Sequence, residues 1–225
     1  MRALVINSYA GSITLGTHAI DGLEIRASLE DDDYGGDIQR ANFPNLPFYR
    51  YRKDWPAWDL SDTIVVAHPP CSAFSTANTT TSARGIDSAA FACTKEVLDY
   101  AMGHKALAIG IESVMGALNG AWNVHQDYAD RHGYHLYRVL ENGCMFGSQW
   151  RERFWAVWIR KGAADPDLPI VLTPRWATVG QVVAGHTDGP APRNLDDLLA
   201  RQAARLMANG VTEAEVDALL APREQ

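Results

Sequence analysis

The chain has 225 residues, 47% of them hydrophobic, which is enough for a buried core and room for one α/β domain, with or without a small appendage. Twenty basic against 27 acidic residues give a formal charge of -7, which argues against a generally basic nucleic-acid coat but leaves room for a local basic groove. Three cysteines do not make a disulfide framework, and neither a signal-type start nor a bilayer-length apolar run is present, so a soluble cytoplasmic protein is expected.

Residues 3–6 are a short apolar run followed by small, turn-forming residues, which reads as a buried strand leading into a loop. Residues 13–20 start a helix that stops near Gly22. Leu23, Ile25, Ala27 and Leu29 then alternate with Glu24, Arg26 and Ser28 in strand period, and Glu30 ends the run. Strand, turn, helix and strand in that order open an α/β sheet. Residues 31–60 are less regular. Asp31, Asp32 and Asp33 read as a solvated loop or helix start, and the Pro- and aromatic-rich stretch 42–59 as loop with one short strand.

Ile64–Ala67 is the next strand, stopped by Pro69 and Pro70. Residues 71–86 are small and polar, as suits a surface loop able to close over something. Residues 89–102 are helical by the spacing of Ala90, Cys93, Val97 and Tyr100. A buried strand over 106–111 ends at Glu112, a helix covers 121–132, residues 134–140 alternate as a strand, and 152–159 form the last clear strand. The pattern predicts an open, mainly parallel sheet with helices on both faces. Composition shifts toward Pro, Gly and Asp after Ala163, so residues 1–163 form the main domain. Residues 164–225 supply a loop segment, a short helix near 178–183 and a closing helical hairpin. Asn194 caps the hairpin's first helix, whose Leu195, Leu198, Leu199 and Leu206 share a face. That face is read as packing on the main domain in preference to docking a partner.

Open α/β sheets place their sites just beyond the carboxyl ends of strands. Four features fall there. The turn Ser8-Tyr9-Ala10-Gly11-Ser12 is small enough for its backbone to approach a ligand, and Glu30 can accept hydrogen bonds from ribose hydroxyls. Cys71 follows two prolines at a strand end, the placement of a nucleophile whose thiolate is the reactive form. Cys93, on a helix, and Cys144, beside a turn, read as structural. The histidines offer only His132 and His135 three apart, too little for a zinc site. Glu112 is placed as a general acid beside the cysteine. Arg151 and Arg153, two apart at the start of a strand, point the same way and can hold a base edge or a phosphate.

Taken together and in order, these segments resemble the motifs of the DNA cytosine-5 methyltransferases over residues 3–160. Tyr9-Ala10-Gly11 is similar to the family's Phe-Ala-Gly cofactor turn. Pro70-Cys71-Ser72-Ala73-Phe74-Ser75 resembles its Pro-Cys-Gln-x-Phe-Ser nucleophile loop, Glu112-Ser113-Val114 its Glu-Asn-Val, and Gln149-Trp150-Arg151-Glu152-Arg153 its Gln-x-Arg-x-Arg. The resemblance implies a Rossmann-like S-adenosylmethionine-dependent methyltransferase fold. It implies that Tyr9, Ala10, Gly11, Ser12, Glu30, Asp54 and Pro70 hold S-adenosylmethionine or a modified analogue, with Glu30 at the ribose and Asp54 at the adenine. Cys71, Glu112, Arg151 and Arg153 would be catalytic, with Ser72, Phe74, Ser75 and Gln149 against the substrate. The partner would be DNA, offering a flipped-out or single-stranded cytosine.

The chain departs from the family at several points. Ile13 and Thr14 stand where the cofactor turn has two more glycines, and Ser113 and Ser72 replace an Asn and a Gln. After residue 160 neither a large target-recognition domain nor the closing Gln-x-x-Gly-Asn motif is visible. A second subunit supplying recognition, a relaxed target, a nucleotide substrate or lost activity each accounts for this. The competing readings are a catalytically silent or split subunit that binds DNA or a partner methyltransferase, and an RNA-directed enzyme of the same fold.

Overall fold

The computed structural model describes residues 1–9, 11–30, 33–50, 52–142 and 151–163. The chain divides into two units, Met1–Trp176 and Ala177–Gln225. The expected short helix near 178–183 and the closing hairpin lie outside the described residues.

The described elements are β1 (Arg2–Ile6), α1 (Ser12–His18), β2 (Glu24–Leu29), α2 (Asp33–Asn42), β3 (Phe48–Tyr49), β4 (Thr63–Ala67), α3 (Ala89–Gly103), β5 (Ala108–Val114), α4 (Met115–His132), β6 (Tyr134–Asn142) and β7 (Glu152–Arg160). Seven strands form one sheet in the order β3-β2-β1-β4-β5-β7-β6. Strands β3, β2, β1, β4 and β5 pair in parallel, and β7 runs antiparallel to both β5 and β6. The sheet is therefore mainly parallel, as the pattern predicts.

Residues Ala3, Leu4, Val5 and Ile6 of β1 are all 0% exposed. Successive side chains of a strand point to opposite faces, so both faces of the sheet are covered at its centre, which explains the unbroken apolar run. The core runs on through Leu29, Val65, Ile109, Phe154 and Trp158, and helices α3 and α4 add Val97, Leu98, Ala117 and Ala129.

The chain leaves β1 for β2 and β3 on one side and takes up β4 and β5 on the other. The switch point lies between β1 and β4, and the crevice beyond their carboxyl ends is where such sheets bind ligands. The turn after Ile6 and the loop after Ala67 flank that crevice.

Three boundaries differ from expectation. Helix α2 occupies part of the stretch 31–60 read as less regular, and takes up the helix start offered at Asp33. Its Gly35 and Gly36 look like breakers, but a Cβ at Gly35 would lie 3.0 Å from the Tyr9 backbone, and one at Gly36 would lie 2.8 Å from the Phe48 ring. Helix α4 begins at Met115 instead of 121, with Gly116 and Gly120 inside it facing Phe74. Strand β5 runs on to Val114, so Glu112 sits within the strand, opposite Trp155 of β7.

Candidate active site

The nucleophile loop is built at the end of β4. The backbone N–H of His68 donates to the Ile6 carbonyl at 3.1 Å, so the chain stays beside β1 until Pro69 and Pro70 turn it away. A 3-10 turn, Cys71–Ala73, follows. The N–H groups of Phe74 and Ser75 both donate to the Cys71 carbonyl at 3.1 Å. Asn78 Nδ2 braces the loop by donating to the carbonyls of Ser72, at 2.9 Å, and Ala83, at 3.3 Å. The Phe74 ring packs edge-on against Phe91 of α3 and lies on Gly120 of α4, while the Phe74 carbonyl lies on Gly116, one helical turn earlier. A side chain at either glycine would strike Phe74, so the two glycines form the seat of the loop.

Cys71, Glu112 and Arg153 come together although 41 residues separate each from the next. Arg153 Nε lies 2.8 Å from Glu112 Oε1, and His68 Nε2 lies 2.8 Å from Glu112 Oε2. The pairing of β5 with β7 sets this up, because Val114 lies opposite Arg153 and Glu112 opposite Trp155. The Glu112 side chain is 12% exposed, so its charge is held by the Arg153 guanidinium and the His68 ring in place of water. A hydrogen bond with Cys71, then one with Glu112, raises the His68 pKa to about 9, against the opposing effect of burial. The Cys71 thiol is held below its ordinary value, first by the hydrogen bond with His68, while burial and the Glu112 charge push the other way.

His68 is absent from the residues picked from sequence. The histidines were weighed there for metal spacing, not for distance from the nucleophile. Three residues before Cys71 at the same strand end was the signal available. Arg151 lies just before β7, is exposed, and donates its N–H to Asn142 Oδ1 at 3.0 Å. Arg153 alone of the two is on the strand, so the shared-face argument for the pair does not carry over. Ser72 is exposed, and Ser75 Oγ accepts the Ala77 N–H at 3.3 Å. Gln149 lies outside the described residues.

On the other side of the crevice, Glu30 is 1% exposed. Its carboxylate accepts the Tyr9 N–H at 2.7 Å and Asn7 Nδ2 at 3.3 Å. Asn7 and Tyr9 both have left-handed backbone, with φ of 54° and 55°, and Gly11 follows with φ of 99°. Gly11 precedes α1 and packs against the Phe43 ring, while Ser12 opens the helix, exposed. Thr14, standing where the family has glycine, is buried. Its Oγ1 is hydrogen-bonded to Ser8 Oγ at 3.0 Å and to Gln39 Oε1 at 2.8 Å, and Gln39 Nε2 donates to Ser28 Oγ. This buried polar chain ties α1 and α2 to β2. Pro70 is exposed at the crevice rim, Asp54 is exposed at the end of the 3-10 turn Arg52–Asp54, and Ala10 lies outside the described residues.

These residues fit a ribose-bearing cofactor in their chemistry. Glu30 is an acceptor at the end of β2, and a carboxylate offers about four acceptor positions, so bonds to Asn7 and Tyr9 are compatible with bonds to hydroxyls. The Tyr9 turn lies against Glu30, bonded to it through the Tyr9 N–H.

The sheet order, the switch-point crevice and this cluster define a Rossmann-like methyltransferase fold. The chain belongs to the C-5 cytosine-specific DNA methylase family, whose model matches residues 1–181. Among solved structures it is similar to a candidate DNA modification methyltransferase encoded within an E. coli prophage, with 15% identity and a TM-score of 0.63, over 85% of this chain and 56% of that one. It is also similar to a mutant DNMT2 of Spodoptera frugiperda, with 16% identity and a TM-score of 0.57, over 75% and 53% of the two chains. A third similar structure is the Dnmt2 methyltransferase of S. pombe, with 15% identity and a TM-score of 0.54, over 86% and 57%. The chain thus spans a little over half the length of these relatives. No curated protein sequence matches it.

Proposed function

We propose that the protein is a DNA cytosine-5 methyltransferase, or a closely related C5-alkyltransferase, working through a transient bond between Cys71 and cytosine C6. The observation that carries this reading is the convergence of Cys71, Glu112 and Arg153 from three distant segments, with Glu112 bound to Arg153 at 2.8 Å. Structural need alone does not call for a half-buried thiol beside a buried carboxylate, an imidazole and a guanidinium.

Cytosine C5 is a poor nucleophile. Addition of the Cys71 thiolate to C6 turns the ring into an enamine whose C5 attacks an electrophilic carbon. Glu112 accepts from the exocyclic amine and relays a proton to N3 as negative charge builds, with the His68 ring, 2.8 Å from its other oxygen, as the proton's source. Arg153 holds Glu112 in place and supplies a guanidinium at the base edge. Bound S-adenosylmethionine, or a modified analogue, supplies the electrophilic group, and Glu30 with the Tyr9–Ser12 turn would hold it. Loss of the C5 proton then expels Cys71. A base within a duplex must leave the stack to reach Cys71. The partner is therefore DNA with a flipped-out or single-stranded cytosine, and a second subunit is one way to supply target recognition.

Incubation with DNA and S-adenosylmethionine, followed by nucleoside mass spectrometry, tests the reading. The expected product is cytosine alkylated at C5. Unmodified DNA across varied sequences, single and double strands, and DNA-binding partners would overturn it.

A further inference from the structure

We propose that His68 takes the proton of the Cys71 thiol and stands as an imidazolium between the thiolate and Glu112, a positioning residue that prepares the nucleophile. The inference rests on the reading of Cys71 as that nucleophile.

The geometry comes first. The His68 backbone is pinned to β1 through Ile6, at the end of the two central strands. Its ring is fixed by Nε2 against Glu112 Oε2 at 2.8 Å, and Cys71 stands three residues along the same loop, opening the next 3-10 turn. Pro69 and Pro70 separate the two and remove the freedom that would let the loop swing the thiol away.

The charge balance then decides what His68 does. Glu112 and Arg153 neutralise one another at 2.8 Å. Without a further cation, the thiolate would face the Glu112 carboxylate, whose charge opposes ionisation of the thiol. Among the described residues, the groups facing the imidazole are Cys71 on its own loop and Glu112 on β5, with Arg153 of β7 behind Glu112. With the proton on His68, the four groups sum to zero charge: thiolate, imidazolium, carboxylate, guanidinium. The step is a plain proton transfer, from sulfur to a ring nitrogen, and needs no co-reactant. It also fits the His68 pKa of about 9, which keeps the ring charged at neutral pH.

The test is a thiolate titration of Cys71 in the full chain carrying Cys93→Ser and Cys144→Ser, followed by ultraviolet absorbance and by iodoacetamide alkylation across pH. The expected midpoint is below that of free cysteine, about 8.5. His68→Gln keeps hydrogen-bonding capacity but not charge. It should raise the midpoint by about one pH unit or more, which slows alkylation near neutral pH roughly tenfold. An unchanged midpoint in His68→Gln overturns the proposal. So does a midpoint at or above about 8.5 in the protein with His68 intact, a result that needs no change at His68. A low midpoint that depends on His68, with no alkylation of DNA, would count against the proposed reaction and leave this inference standing.

Discussion

Replacing Arg153 with leucine removes one of the two cations that hold Glu112. Charges about 4 Å apart attract by about 4 kcal/mol at the effective dielectric of a partly buried site. The Arg153 side chain is 26% exposed, so solvent screening and the desolvation cost offset much of that. Glu112 also keeps its bond to His68 and is not orphaned, which keeps the loss below the roughly 3–5 kcal/mol seen when a buried charge loses its sole partner. The expected destabilisation for Arg153→Leu is therefore about 1–3 kcal/mol. In a double-mutant cycle with Glu112→Gln, read by urea denaturation, the coupling should be about 1–2 kcal/mol and survive added salt, because the pair is partly shielded. A coupling below about 0.5 kcal/mol would refute the view that Arg153 fixes Glu112.

Gly116→Ala should gain up to about 1 kcal/mol of helix propensity yet lose about 1–3 kcal/mol net, because its methyl meets the Phe74 carbonyl. Gly16→Ala, with nothing within 4 Å of the new methyl, is the control, and thermal unfolding should move the two in opposite directions. Burial pushes the His125 pKa down to about 4, so the folded protein keeps it neutral while the unfolded chain takes up a proton near 6.5. Stability should fall as pH drops below about 6.5, by roughly 3 kcal/mol once pH passes the folded value. Urea denaturation of His125→Leu should lack that part of the acid loss, and an identical pH profile would count against it. Glu30→Ala should weaken S-adenosylmethionine binding by roughly 1–3 kcal/mol in calorimetry, and unchanged affinity would remove Glu30 from the cofactor site.

The strands were legible in sequence because the central ones read as apolar runs: Ala3–Ile6 is buried on both faces, and Ile64–Ala67 is buried on one face and partly buried on the other. Helix α2 and the first turns of α4 were not, and both carry glycines. Gly35 lies against the Tyr9 backbone and Gly116 against Phe74, where tertiary contact outweighs the low helix propensity that makes glycine look like a breaker. Cys71, Glu112 and Arg153 could be read because each follows a strand or lies in one, and because their spacing resembles known motifs. His68 could not, since its role depends on a carboxylate 44 residues away that pairing of β4 with β5 brings beside it. The Tyr9 turn against Glu30 was equally hidden. It depends on left-handed backbone at Asn7 and Tyr9, a conformation that asparagine favours more than most residues but that a tyrosine does not announce in sequence.

The most direct test of the central claim uses DNA carrying 5-fluorocytosine, incubated with the protein and S-adenosylmethionine. Fluorine cannot leave C5 as a cation, so the intermediate stalls after group transfer with sulfur still bonded to C6. The account predicts a stable protein–DNA adduct mapped by mass spectrometry to Cys71. Cys71→Ser should abolish it, since a serine hydroxyl stays protonated near neutral pH, whereas Cys93→Ser and Cys144→Ser should retain it. An adduct mapped to another cysteine, or full alkylation by Cys71→Ser, would contradict the account.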